Sequence, residues 1–301
     1  GDDDKYYKTH ACAKHYAVHS GPEPLRHRMD VSVSQRDLWE TYLPAFKALV
    51  TEADVREVMC AYQRYEGVPC CTNDRLLVDI LRNKWGYDAI VLTDCDAINN
   101  FYTKGQHETH PDAEHASADA ILHGTDLECG ISFISLKDAL KDGMIKESDL
   151  DVHVKKVLTG RFELGMFDPA EMLPWANLGP EVISSESNDQ LAVQSARESM
   201  VLLKNEGVLP LKKDVKKLLV LGPNADNVDM LNGNYGGTPT EEHKRSILDG
   251  IKQAVPGAEV VYSKACELED EFNTTSLLPS FNGGQGLLAS FYGDKKIAGK
   301  A

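Results

Sequence analysis

Four polar clusters stand just past apolar, strand-like runs in the first part of the chain: Lys14-His15, Tyr62, Asp94-Cys95-Asp96 and Asp126-Leu127-Glu128. A carboxylate that follows a buried strand points into a pocket mouth. There it can attack an anomeric carbon to form a glycosyl ester and later leave as a carboxylate when water cleaves that ester. Asp94 fits that role, because the preceding run Ala89-Ile90-Val91-Leu92-Thr93 is apolar and β-branched. A cap or turn role is its alternative, and Asp96 reads as a loop residue rather than a second catalyst. Lys14 and His15 bring adjacent N–H donors that suit sugar hydroxyls; taken alone they read first as a solvated lysine and a core histidine. Tyr62 could donate to a carboxylate, stack on a sugar ring or line the rim. His19, Glu23 and Arg26, in the loop after Lys14-His15, are candidate rim residues that individually read as structural or solvated.

The clusters are separated by about the length of one strand, one helix and two loops. A chain of βα units closes into a barrel with its site at the C-terminal strand ends, so residues distant in sequence are expected to converge. Short strands are expected at residues 9–14, 55–61 and 89–93, with a weaker one at 124–129. Ser34 followed by Asp37 signals a helix start. Leu38, Tyr42, Ala45, Phe46 and Leu49 then share a face, with Pro44 bending the helix. Asn73 is expected to cap a helix with Leu76, Leu77, Ile80 and Leu81 inside and Gly86 at its end. Further helices are expected from Pro111 to Leu122 and at about 135–142 and 149–164.

The fold class expected is α/β. Residues 1–168 read as the C-terminal half of a TIM-type barrel and 169–187, with prolines and serines, as a linker. Residues 188–272 read as an incomplete α/β sandwich domain: helix 189–204, strand 217–221, helix 246–254 and strand 259–262. Residues 273–301 read as a linker and the start of a β-rich insert, opening with Gly286 to Tyr292.

The 301 residues are 42% hydrophobic and carry a formal charge of -15, which speaks against a nucleic-acid partner. No apolar run reaches the about 18 residues a membrane helix needs. Seven cysteines without a C-x-x-C pattern indicate neither a zinc site nor a disulfide framework. Cys12, Cys60, Cys95 and Cys129 read as small buried hydrophobes, and vicinal Cys70-Cys71 as a weak candidate for reactivity. Gly222-Pro223-Asn224-Ala225-Asp226 lacks the pattern of a phosphate loop. The opening Gly-Asp-Asp-Asp-Lys carries no signal peptide and reads as loop in a chain that was cut.

Together the residues resemble glycoside hydrolase family 3. The matching strings include Ala-Cys-Ala-Lys-His-Tyr (11–16), Val-Met-Cys-Ala-Tyr (58–62), Leu-Arg-Asn-Lys-Trp-Gly-Tyr (81–87), Ile-Val-Leu-Thr-Asp-Cys (90–95) and Gly-Thr-Asp-Leu-Glu-Cys-Gly (124–130). Arg-Phe-Glu-Leu-Gly-Met-Phe-Asp (161–168) and Ala-Arg-Glu-Ser-Met-Val-Leu-Leu-Lys-Asn-Glu-Gly-Val-Leu-Pro-Leu (196–211) extend the likeness.

The resemblance implies retaining, exo-acting hydrolysis of β-glycosides without cofactor or metal. It casts Asp94 as nucleophile, Lys14 and His15 as holders of sugar hydroxyls, and Tyr62 as the nucleophile's neighbour. An oligosaccharide or glycoside is the implied substrate, and a periplasmic or secreted location is implied. Cys95 after the nucleophile and His-Ser-Gly-Pro-Glu at 19–23 resemble the β-xylosidase branch, without excluding glucosides. Gln63, where the family usually has Asn or a small residue, and Asp96, where Gly is common, depart from its pattern. Earlier barrel strands, with an acid and an arginine, are expected to be missing, and the glutamate general acid to follow the insert, so these residues alone are expected to be catalytically incomplete. Glu206, Glu241 and Glu242 are the fallback acids. The alternatives are a β-N-acetylglucosaminidase, for which His27 is the candidate acid/base in Leu25-Arg26-His27, and a non-catalytic carbohydrate-binding relative, against which Asp94 argues.

Overall fold

The computed structural model describes residues 3–233, 235–237, 239 and 241–266, so the expected insert strand at 286–292 and the whole 273–301 segment lie outside the described residues. The chain divides into two compact units between Leu178 and Gly179. The first unit holds β1 (Cys12–Tyr16), β2 (Asp30–Val31), β3 (Glu57–Cys60), β4 (Arg64–Tyr65), β5 (Val68–Pro69) and β6 (Ile90–Thr93). The second holds β7 (Lys217–Leu221) and β8 (Glu259–Ser263).

In the first unit β1, β3 and β6 form a parallel sheet in that order, and β2, β4 and β5 a small second sheet. Strands of a parallel sheet are covered on both faces, which explains their continuous apolar text: Val58, Cys60, Val91 and Thr93 are fully buried. β1 pairs with β3 through Ala13–Val58 and Tyr16–Cys60. Lys14 and His15 therefore face Met59 alone, a two-against-one bulge of the kind that re-aims side chains. Ala13 and Tyr16 stay buried on either side of it.

Among the described residues the strands do not close into a barrel. The strand expected at 124–129 is reduced to one parallel bridge between Leu92 and Leu127. Asp126 and Leu127 both donate their N–H to the Val91 carbonyl, at 2.8 and 3.2 Å, so the ladder does not advance as a strand requires.

The helices carry their expected faces only in part: in the helix after Ser34, Leu38 is buried and Tyr42 and Phe46 half-buried, but Ala45 and Leu49 are exposed and Leu43 and Val50 fill the core instead. Ser34 caps its helix by accepting from Asp37 N–H at 3.1 Å. That helix is broken, however, into Gln35–Asp37, a wide π-type turn Leu38–Tyr42 and Pro44–Thr51. Pro44 has no N–H to continue the ladder, and Leu43 N–H instead reaches back five residues to Leu38 O at 3.0 Å. Asn73 accepts from Leu76 N–H at 3.1 Å, and Leu76, Leu77, Ile80 and Leu81 bury the inner face of the π-type helix Arg75–Lys84. Helix Ala113–Leu122 starts after Pro111 because the Asp112 side chain, accepting from His115 N–H at 3.0 Å, is the better cap. Helices Leu136–Lys141 and Glu147–Glu163 follow.

In the second unit β7 and β8 pair in parallel from Lys217–Glu259 to Leu221–Ser263. Ser246 and Asp249 form a capping box on helix Ile247–Ala254. Helix Glu186–Ser199 ends before the expected residue 204, because Met200 is extended and opens the apolar, β-strand-like run Met200-Val201-Leu202-Leu203.

Asp126 locks the first unit together. Its side chain is wholly buried. It accepts from Arg82 Nη2 at 2.6 Å, Val91 N–H at 2.7 Å and His153 Nδ1 at 2.7 Å, with Lys156 Nζ at 3.8 Å. One carboxylate thus ties β6 to helices Arg75–Lys84 and Glu147–Glu163. Truncating one member of a buried, paired cluster strands the others, at a cost of about 3–5 kcal/mol. Asp126→Ala is expected to lower unfolding free energy by about that amount, measured by chemical denaturation; a change below about 1 kcal/mol, the scale of an exposed ion pair, would show that the cluster holds little.

Candidate active site

Asp94 follows the last residue of β6 and is 6% exposed. Its backbone N–H donates to Cys60 O at the end of β3, at 3.2 Å, which ties the turn after β6 to the neighbouring strand. Its Oδ2 lies 3.1 Å from His15 Nε2, and its Oδ1 accepts from Cys95 N–H at 2.8 Å. Tyr62, after β3, donates its hydroxyl to Cys95 O at 2.7 Å and also lies within reach of Asp94; its single proton serves one acceptor at a time. Burial opposes the Asp94 anion. The His15 hydrogen bond, the Cys95 N–H, the His15 charge and the Tyr62 hydroxyl outweigh burial and hold the carboxyl below the usual carboxylate range. The arrangement keeps a mostly buried carboxylate ionised beside imidazole and phenol groups, as a nucleophile requires.

The bulge of β1 brings His15 to Asp94, while Lys14, the residue before it, has an exposed side chain. His19 stacks at a tilt on His15, ring centres 4.8 Å apart, and lies 6.3 Å from Tyr62. Arg26 forms a paired contact with Glu23 at 2.8 and 2.7 Å, and its guanidinium sits 5.8 Å above the Tyr62 ring. His27 meets the same ring edge-on at 4.5 Å. The structure thus gathers His15, Tyr62, His19 and Arg26 around Asp94, with Glu23 joined through Arg26. Asp96 is exposed, and its N–H donates to Cys129 O at 2.6 Å. Glu128 is turned onto the N–H groups of Ser132 and Phe133, at 3.1 and 2.6 Å, and burial raises its pKa. In the second unit Glu206 pairs with Lys204 and Glu241 with Lys244, both exposed; the side chain of Glu242 lies outside the described residues.

The Glycosyl hydrolase family 3 N terminal domain matches residues 5–159, and the family 3 C-terminal domain matches residues 200–298. The chain belongs to glycoside hydrolase family 3. A xylan 1,4-beta-xylosidase of Xylanibacter ruminicola is 43% identical, over 99% of this chain and 35% of its own length. A beta-xylosidase/alpha-L-arabinofuranosidase 1 of Medicago sativa subsp. varia is 38% identical, over 88% of this chain and 34% of its own. Among solved structures, a family 3 exo-beta-xylosidase in complex with a xylobiose aziridine probe superposes with a TM-score of 0.78 at 34% identity, covering 89% of this chain and 35% of that one. A beta-glucosidase from Listeria innocua in complex with glucose gives 0.74 at 30% identity, covering 87% and 35%. The chain spans about a third of the length of these relatives.

The cysteine reading from sequence is corrected in this family 3 chain. Cys60 is bonded to Cys71, with Cα atoms 5.2 Å apart, and Cys95 to Cys129, 4.4 Å apart. Cys95 is exposed and Cys129 half-buried, so neither is a buried hydrophobe. The Cys95–Cys129 bridge arises because β6 and the parallel segment around Leu127 end side by side, while Cys60–Cys71 ties the end of β3 to the short turn Cys70–Thr72. A cysteine just past Asp94 and another just past Glu128 carried that signal. Cys70 is not reactive: burial pushes its thiol up to about 12. Gln63, the other residue missed, is fully buried and joins His19 to the Ala17 carbonyl.

Both bridges flank Asp94: Cys60 supplies the carbonyl that receives its N–H, and Cys95 supplies an N–H to its carboxylate. Beside the second bridge, a Cβ at Gly130 would sit 2.8 Å from Glu128 Oε1, so a larger residue there would have to displace the Glu128 carboxylate. Cys60 and Cys71 are fully buried. Under native conditions a thiol reductant followed by alkylation should therefore label Cys95 and Cys129 first, leaving Cys60 and Cys71 protected. Peptide mass spectrometry reads this; equal labelling of both pairs would contradict the burial difference.

Proposed function

We propose that this chain carries the nucleophile side of a retaining, exo-acting β-glycosidase site that removes terminal β-linked xylose, or glucose, from oligosaccharides. The observation that carries the reading is Asp94, a mostly buried carboxylate held ionised by His15, Cys95 N–H and Tyr62. In this reading Asp94 attacks the anomeric carbon as the bond to the leaving oxygen breaks, and that oxygen takes a proton from a general acid. The glycosyl–Asp94 ester is then hydrolysed by water, regenerating the carboxylate; two inversions give net retention. Lys14, His15 and Tyr62 bind the sugar beside the carboxylate, with His19, Glu23 and Arg26 on the rim. The three parallel strands are part of a TIM-type barrel whose C-terminal strand ends form the pocket, and residues 188–272 belong to an α/β sandwich domain. Xylosides are favoured because the similar curated proteins are named xylosidases. Two disulfides fit an oxidising, periplasmic or extracellular compartment.

Asp94→Asn in the full-length protein tests the reading. Turnover of an aryl β-xyloside should fall by several orders of magnitude while thermal unfolding is unchanged, because the covalent route is lost. Near-normal turnover by a folded Asp94→Asn protein would remove Asp94 from the reaction.

A further inference from the structure

Gln63 uses both ends of its amide, and it does so while fully buried. Its Nε2 donates to Ala17 O at 2.7 Å, and its Oε1 lies 2.7 Å from His19 Nδ1. The Ala17 carbonyl can only accept, so the amide nitrogen must face it and the amide oxygen must face His19. An amide oxygen carries no proton. His19 Nδ1 must therefore carry one, and the lone pair of the neutral ring falls on Nε2. We propose that Gln63 is a positioning residue that holds His19 in this neutral tautomer, so that His19 Nε2 accepts a hydroxyl of the bound sugar.

The surroundings of His19 keep the ring in that state. Burial is the largest influence and disfavours the imidazolium; Gln63 Oε1 and the Asp94 charge favour it, and His15 and Arg26 oppose it. His15 comes from β1, Asp94 from the turn after β6, and Arg26 from the same loop as His19, paired there with Glu23. Tyr62 and Gln63 come from the segment after β3, and His27 packs on the far edge of Tyr62. The balance lowers the His19 pKa.

The location supplies the function. His15 uses its Nε2–H toward Asp94, and the His19 ring lies 4.8 Å from it. A sugar poised over Asp94 would find the His15 Nε2–H and the Tyr62 hydroxyl proton turned to Asp94 and Cys95 O, with an acceptor from His19 beside them. A sugar hydroxyl can donate, so that acceptor gives it a partner which the two engaged donors do not. Both Gln63 contacts are already short, and a side chain one methylene shorter would lose at least one of them.

The inference rests on the glycosidase reading above, and its test separates the two. Gln63→Glu, His19→Phe and the double variant are made in the full-length protein. Kinetics are followed against pH with an aryl β-xyloside, and histidine-selective 15N NMR reads the His19 tautomer and titration. The carboxylate introduced by Gln63→Glu would accept from the same Nδ1–H, give up the donation to Ala17 O and, as an anion, favour the imidazolium and raise the His19 titration. The protonated ring has no acceptor, so KM should rise about tenfold, one lost hydrogen bond, on the acid side and recover as pH rises past the new titration point. kcat should change less. His19→Phe should show the KM rise at all pH values, and adding Gln63→Glu to it should change KM no further. An Nε2-protonated His19 in the unsubstituted protein, or a Gln63→Glu defect that persists in the His19→Phe background, would overturn the proposal. Should Gln63→Glu fail to fold, His19→Phe with unchanged KM would overturn it as well. Absence of any hydrolysis by the unsubstituted protein would instead sink the glycosidase reading, with the 15N shifts still deciding the tautomer.

Discussion

Keeping a carboxylate ionised while most of it is withdrawn from water is the constraint on which the first unit depends. Burial alone would push Asp94 toward its neutral acid. Three separate stretches of chain prevent this: β1 delivers His15, the segment after β3 delivers Tyr62, and the turn after β6 delivers Cys95 N–H. Each arrives only because the three strands run parallel and end at the same level. The bulge at Lys14-His15 adds the local correction, giving His15 an aim that regular pleating would deny it.

The supports behind that carboxylate are of two kinds. Covalent ones lie closest: the Cys60–Cys71 and Cys95–Cys129 bridges pin the two backbone segments that touch Asp94. Electrostatic ones lie beneath. Asp126 gathers Arg82, His153 and a β6 N–H around a second buried anion, one strand-end away. The two acids differ in what surrounds them. Asp126 is enclosed by donors, with none of its side chain exposed, whereas 9% of the Asp94 side chain stays exposed, an edge that a reacting carboxylate needs.

Much of this was legible in the sequence where local chemistry decides. The run before Asp94 announced a buried strand, Ser34 and Asn73 announced helix starts, and Leu76, Leu77, Ile80 and Leu81 announced an inner face. What stayed hidden depends on partners distant in sequence. The spacing of Cys95 and Cys129 hinted at a bridge, but that the two lie side by side needed the pairing around Leu127, and Cys60 meets Cys71 only through the turn Cys70–Thr72. The strand expected at 124–129 looked adequate by composition but failed because Asp126 and Leu127 share one acceptor. Gln63 read as a departure from a family pattern; its meaning emerged only from the two atoms its amide touches.

The central claim is that Asp94 forms a covalent bond to the sugar. Treating the full-length protein with a 2-fluoro β-xyloside bearing a good leaving group should slow release of the intermediate and let the ester accumulate. Mass spectrometry of a peptic digest is expected to place the added fluorosugar on the peptide containing Asp94. A fluorosugar on any other acid, or an unlabelled protein that turns over the natural glycoside at full rate, would contradict the account.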